Sequence, residues 1–230
     1  VEPGYAMRLL EEHPERCGYL LKERVSDPVI LVDALTRLAE GETVTGLKMR
    51  FKVAEQEDMS KGFDIHDEVR RRRGIVEERL ATLGVHVIER DDATEYAYRY
   101  RIQYDGDMKK LADYVEDVEG TEILSMGNAL ELIKDLGDAA RVADQYDLRK
   151  FKGTHGIGHT RMATESDVDI RSAHPYWAYP FSDVSVVHNG QLTNYWNNRR
   201  ELERRGRRFM SNCDSELIAV YLAERMDQGD

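Results

Sequence analysis

The chain has 230 residues, 33% of them charged and 41% hydrophobic, and a formal net charge of −11. It is long enough to bury a sizeable core in one or two domains, and its acidity argues against nucleic acid or an anionic membrane surface as the main partner. No apolar run reaches the roughly 20 residues of a membrane span, no signal-peptide pattern opens the chain, and Cys17 and Cys213 lie far apart, which together point to a cytoplasmic setting without a disulfide framework.

Residues 1–44 read as helix, strand, helix. Ala6, Leu9 and Leu10 give an apolar stripe, CGYLL (17–21) a short buried strand, and Ser26-Asp27-Pro28 a helix start. That helix carries Val29, Leu31, Val32, Leu35 and Leu38 and stops near Gly41. The chain opens at Val1 and ends on Gln-Gly-Asp just after a predicted helix, so both ends read as cut from something longer.

Residues 45–126 alternate strand and helix. LKMRFKV (47–53) and EYAYRYRIQY (95–104) alternate apolar and polar, the second placing Tyr96, Tyr98, Tyr100, Ile102 and Tyr104 on one face. Helices are expected over Asp67–Leu83, ended by Gly84, and over Met108–Val118, with strands at 85–89 and 121–126. The order βαββαβ suggests a ferredoxin-like or ACT-like sandwich. We read the Tyr ladder as sheet packing and Arg70–Arg73 as a solvated helix face, with a regulatory or partner-binding insert as the rival reading.

Residues 127–230 carry the chemistry. A helix is expected through Ala129, Leu132, Ile133 and Leu136, then a second short one, and later helices over Asn194–Arg205 and from Asp214. Between them VSVVHNG reads as a buried strand (Val184, Val186, Val187) breaking at Asn189-Gly190, a turn pair that tolerates positive φ. Such a turn exposes the Gly190 N–H beside the Asn189 amide, and two donors together hold a developing oxyanion. Arg161 follows a short apolar segment and suits a carboxylate. Asp214, on the loop opening the last helix, suits an ammonium. A carboxylate clamp, an amino clamp and an oxyanion hole describe a site for an amino-acid amide.

GHTRMATES (158–166), His174-Pro175, VHNG (187–190) and Asp214-Ser215-Glu216 stand in one order over about 60 residues. That constellation resembles class II (N-terminal-nucleophile) glutamine amidotransferases, of the glutamate-synthase type. The resemblance implies a partial Ntn αββα amidase layer that binds glutamine and hydrolyses it to glutamate and ammonia. It places Asn189 and Gly190 in the oxyanion hole, Arg161 on the α-carboxylate, Asp214 on the α-amino group and Thr164 in the amino-acid pocket. His159 and His174 are expected as structural hydrogen-bonders, and His188 as structural or part of the site. The family's nucleophile is an N-terminal cysteine whose α-amino group acts as base, and here residue 1 is Val. The expectation is therefore a domain that grips glutamine but is silent by itself. Cys213 reads as a small packed residue. In the family, ammonia passes to a synthase partner that uses flavin and iron–sulfur centres; no cofactor motif and no metal site is expected in this chain.

YLLKERVSDPVILVDALTRLAEGETV (19–44) resembles the final third of a response-regulator receiver domain, with Tyr19 at the switch aromatic and Lys22 at the phosphoryl-contacting lysine. The phospho-accepting Asp and switch Ser/Thr are absent, so we read Lys22 as a surface lysine. The expected architecture is α/β in three parts: a receiver-like helix–strand–helix (1–44), a ferredoxin-like insert (45–126) and an incomplete amidase core (127–230). The rival functions are a non-catalytic regulatory or ligand-binding module and a chimera joined near residue 44.

Overall fold

The computed structural model describes residues 46–54, 65–160 and 169–229. The receiver-like segment, with Tyr19, Lys22 and Cys17, lies outside them. Leu47–Asp230 form one compact unit, and it is organised on a four-stranded antiparallel sheet. Its elements are β1 (Leu47–Lys52), α1 (Ile65–Thr82), β2 (His86–Asp92), β3 (Ala97–Gln103), α2 (Met108–Glu116) and β4 (Glu122–Gly127). The strands lie in the order β2-β3-β1-β4, all neighbours antiparallel, which is the split βαβ arrangement expected from the sequence.

Alternation along β1 and β3 decides the two faces. Met49 pairs with Tyr100 and Phe51 with Tyr98, so large side chains meet across the ladder. Phe51 and Tyr100 pack edge to face at 5.0 Å. α1 covers this face with Val69, Val76 and Leu80, and α2 with Leu111, Ala112 and Val115. α1 ends because Gly84 takes φ +74 while Val85 N–H donates back to Leu80 O. α2 starts at Asp107, whose carboxylate accepts from the Lys109 and Lys110 N–H groups.

The opposite face is cationic, with Lys48, Arg50, Lys52, Arg99 and Arg101 pointing away from the helices. An extended stretch covers it where a helix was expected. Residues 128–138 contain no helix. Their backbone N–H groups are taken elsewhere: Asp183 accepts from Asn128 (3.1 Å), Ala129 (2.8 Å) and Leu130 (2.8 Å), and Ser125 Oγ accepts from Leu132 (3.1 Å). Glu131 then meets Lys48 at 3.1 Å, Arg50 at 2.8 Å and Arg99 at 2.9 Å. The apolar spacing at 129, 132, 133 and 136 fits a helix, but these competing acceptors unwind it.

The second short helix, α3 (Ala139–Gln145), forms behind its Asp138 cap, and a 3-10 turn follows at Leu148–Lys150. Beyond it come β5 (Tyr176–Trp177), β6 (Ser185–Val186), α4 (Tyr195–Arg204) and α5 (Glu216–Asp227). β5 packs beside β4 and α5. The expected buried strand over 184–187 is shorter and more open. Among the described residues β6 pairs with β5 alone, over two residues, and Val184, Val186 and Val187 are half-buried.

Candidate functional site

Several of the predicted site residues hang from the loop before α5. Glu216 is buried, and its carboxylate turns back on the chain. It accepts from Met210 N–H (2.6 Å), Ser211 N–H (2.8 Å) and Ser211 Oγ–H (2.6 Å). Burial pushes its carboxyl above the usual range, against the pull of those donors. Ser211 Oγ in turn accepts from Cys213 N–H at 3.2 Å. Arg199 of α4 donates to Ser211 O at 2.7 Å and to Tyr195 OH at 2.6 Å, tying α4 to the same loop. The loop therefore presents Asp214 and Ser215 from a fixed frame.

Segment 188–192 is pinned to that frame twice. Leu192 N–H donates to Asp214 Oδ2 at 2.6 Å, and His188 Nδ1 lies 3.0 Å from Ser215 Oγ. Asn189 and Gly190 lie between the two pins and are exposed. The structure thus brings Asn189, Gly190, His188 and Asp214 together. Arg161 and Thr164 lie outside the described residues. Ser215 and the Leu192 amide are members that sequence reasoning missed. Ser215 sat inside a motif quoted for its acidic neighbours, and nothing in the pattern marked the backbone of Leu192.

One expectation is corrected. Neither Asn189 nor Gly190 takes a positive φ; the left-handed residue of this stretch is Asn194 at φ 59, just before α4. Gly190 answers a different demand. A Cβ there would lie 2.9 Å from His188 Nε2 and 3.1 Å from its Cε1, so the imidazole occupies the space a side chain would need.

A wall of rings leads into this region. His159 stacks on His174 with centroids 4.2 Å apart, and His174 meets Tyr176 edge-on at 4.8 Å. Tyr176 donates to Ser172 O at 2.7 Å and packs in one cluster with Cys213, Ala178, Ala219 and Ala223. Burial, then the neighbouring Cys213, pushes the Tyr176 hydroxyl well above its ordinary range. Cys213 is a buried free thiol inside this cluster. His159 is half-buried, and its Nδ1 has no hydrogen-bond partner among the described residues. Among those residues no group of three His, Cys, Asp or Glu side chains could hold a metal, and no helix is long and apolar enough to cross a membrane.

This geometry offers a carboxylate, an exposed backbone N–H and an exposed side-chain amide on one rigid loop pair. Residues 159–229 match the model of a family described as a glutamine amidotransferase domain. A Methanothermobacter thermautotrophicus protein, named provisionally as a glutamine amidotransferase, is 43% identical over 134 residues, 57% of this chain and 44% of its own. The glutamine amidotransferase-like protein GlxB of Rhizobium meliloti is 45% identical over 107 residues, 46% of this chain and 35% of its own. The glutamine–fructose-6-phosphate aminotransferase of Aeropyrum pernix is 35% identical over 122 residues, 53% of this chain and 20% of its own. The chain spans less than half the length of each of these relatives. No solved structure matches it. Residues 159–229 are thus similar in sequence to a glutamine amidotransferase domain.

Proposed function

We propose that the part of the chain from about residue 127 onward is the glutamine-binding portion of a class II glutamine amidotransferase. Its reaction class is hydrolysis of the side-chain amide to glutamate and ammonia. The double pin of segment 188–192 onto Asp214-Ser215 carries this reading. It sets a carboxylate beside an exposed backbone N–H and a side-chain amide, as an α-amino clamp and an oxyanion hole require.

In this reading Asp214 takes the α-amino group. Its Oδ2 also holds the Leu192 N–H and its Oδ1 lies 3.4 Å from Ser215 Oγ, which fix the carboxylate in place. The Asn189 amide and the Gly190 N–H stabilise the charge that develops on the carbonyl oxygen. Arg161 takes the α-carboxylate and Thr164 lines the pocket. His159, His174 and Tyr176 shape one wall. In the family the attacking group is an N-terminal cysteine thiol with its own α-amino group as base, whereas position 1 of this sequence is Val; Cys213 packs and does not attack. The sandwich precedes the amidase portion in sequence, and the two pack within one compact unit, Leu47–Asp230. The ammonia goes to a glutamate-synthase-type partner that carries flavin and iron–sulfur centres.

Calorimetric titration with glutamine tests the reading. Asp214→Asn keeps an oxygen for the Leu192 N–H but loses the charge. We expect it to weaken glutamine binding by tenfold or more, on the order of the 1.5–3 kcal/mol of a charge-assisted hydrogen bond. Absence of glutamine binding by the wild-type chain would sink the proposal.

A further inference from the structure

The contacts around Ser215 form a short chain. Its Oγ lies 3.0 Å from His188 Nδ1 and 3.4 Å from Asp214 Oδ1. The imidazole nitrogen donates to or accepts from the hydroxyl according to its tautomer, and the bond ties the ring to Ser215 in either case. His188 Nε2 faces Gly190, where a Cβ would sit 2.9 Å away. The ring is therefore held on one edge by Ser215 and bounded on the other by the Gly190 backbone. Ser215 is itself buried, at 2% exposure, and sits at the start of α5.

We propose that His188 is a positioning residue: its imidazole, clamped between Ser215 and Gly190, sets the distance from the Asn189-Gly190 donors to Asp214. This inference deepens the glutamine-binding reading and rests on it. Glutamine spans its α-amino group and its side-chain carbonyl through a fixed number of bonds. A site that grips both ends needs a fixed spacing between the carboxylate and the oxyanion donors. Two independent ties supply it here: the Leu192–Asp214 bond and the His188–Ser215 bond flank the donor pair on either side. The same clamp explains the glycine. At position 190 a methyl group would press on the far edge of the ring, so Gly190 leaves room for the ring and answers no demand of a dihedral angle.

The test pairs His188→Leu with His188→Asn. Leucine fills the space but cannot bond Ser215. Asparagine places its amide nitrogen where Nδ1 stood and keeps the bond. We expect His188→Leu to weaken glutamine binding about tenfold and to speed hydrogen exchange of the Leu192 amide by a similar factor, the scale of one lost hydrogen bond. His188→Asn should stay within about twofold of wild type on both measures. Ser215→Ala should match His188→Leu, and the double variant His188→Leu/Ser215→Ala should be no worse than either single one. Wild-type behaviour of His188→Leu on both measures would overturn the proposal. So would equal damage from His188→Asn, because ring packing and not the bond would then be responsible. If wild type fails to bind glutamine, the functional reading falls, and the exchange rates alone decide the positioning role. Thermal melting of each variant separates these outcomes from loss of the fold.

Discussion

Glu216 shows how much one side chain fixes. Its two oxygens take two backbone N–H groups and one hydroxyl from residues 210 and 211, and the Asp214 loop is drawn over them. Glu216→Gln keeps its oxygen for the two Ser211 donors and turns a donating NH2 to the Met210 N–H. A buried N–H left facing a donor costs about 2 kcal/mol. The expected result is a lower urea midpoint with an unchanged slope, in a chain that still folds. A midpoint equal to wild type would mean that the loop is held by Arg199 and Ser211 alone. At this scale the sequence was legible where chemistry is carried by residue type: Asp214, Asn189 and Gly190, named from their types, lie on the two loops that are pinned together. It was not legible where the partner is a backbone amide, as at Leu192, or where a glycine serves a neighbouring ring.

The sheet divides its labour between faces. One face is apolar and takes two helices; the other is cationic and takes an extended anionic strap. Large-to-small change on the first face is a packing matter, and Phe51→Ala, at a fully buried position, should cost about 3–5 kcal/mol. On the second face Glu131 decides. Burial alone would raise its carboxyl, but the hydrogen bond from Arg99 and the charges of Arg50 and Lys48 outweigh it and hold the group at about 2, against an ordinary 4.5. A depressed carboxyl stabilises the fold above its unfolded value and loses that contribution as pH falls through the folded one. Stability should therefore decline between about pH 4.5 and pH 2. Glu131→Gln should be less stable than wild type at neutral pH and show a shallower decline in that window, read from denaturant melts at several pH values. The sandwich was legible because alternation and caps are local. The strap at 128–138 was not, because the carboxylate that claims its N–H groups comes from residue 183, more than 50 positions away. No window of local pattern contains it.

At the scale of the whole unit, a seam joins the sandwich to the later layer. Arg208 pairs with Glu116 of α2, whose side chain is 4% exposed, and lies 5.0 Å over the Tyr179 ring. The Tyr179 hydroxyl in turn donates to Asp113 of the same helix. Trp177 meets Tyr179 edge-on at 5.5 Å, so its fluorescence, read in a Trp196→Phe background, reports on this seam. Arg208→Ala leaves the Glu116 carboxylate with the Ile123 N–H as its donor and, because Arg208 itself is 42% exposed, should cost about 1–2 kcal/mol. In wild type the fluorescence and far-UV circular dichroism transitions should coincide; in Arg208→Ala the fluorescence change should come first. Coincident transitions in the variant would show that the seam is held without this pair. The second tie across the seam has a different character. Asp183 holds the strap through the N–H groups of residues 128–130, so it reads backbone and ignores most of what the side chains are. Those three positions should accept almost any amino acid without loosening the join, with proline as the exception because it brings no N–H. Freedom to drift at 128–130, set against constraint at a single distant aspartate, is how this contact would look across a library of random variants.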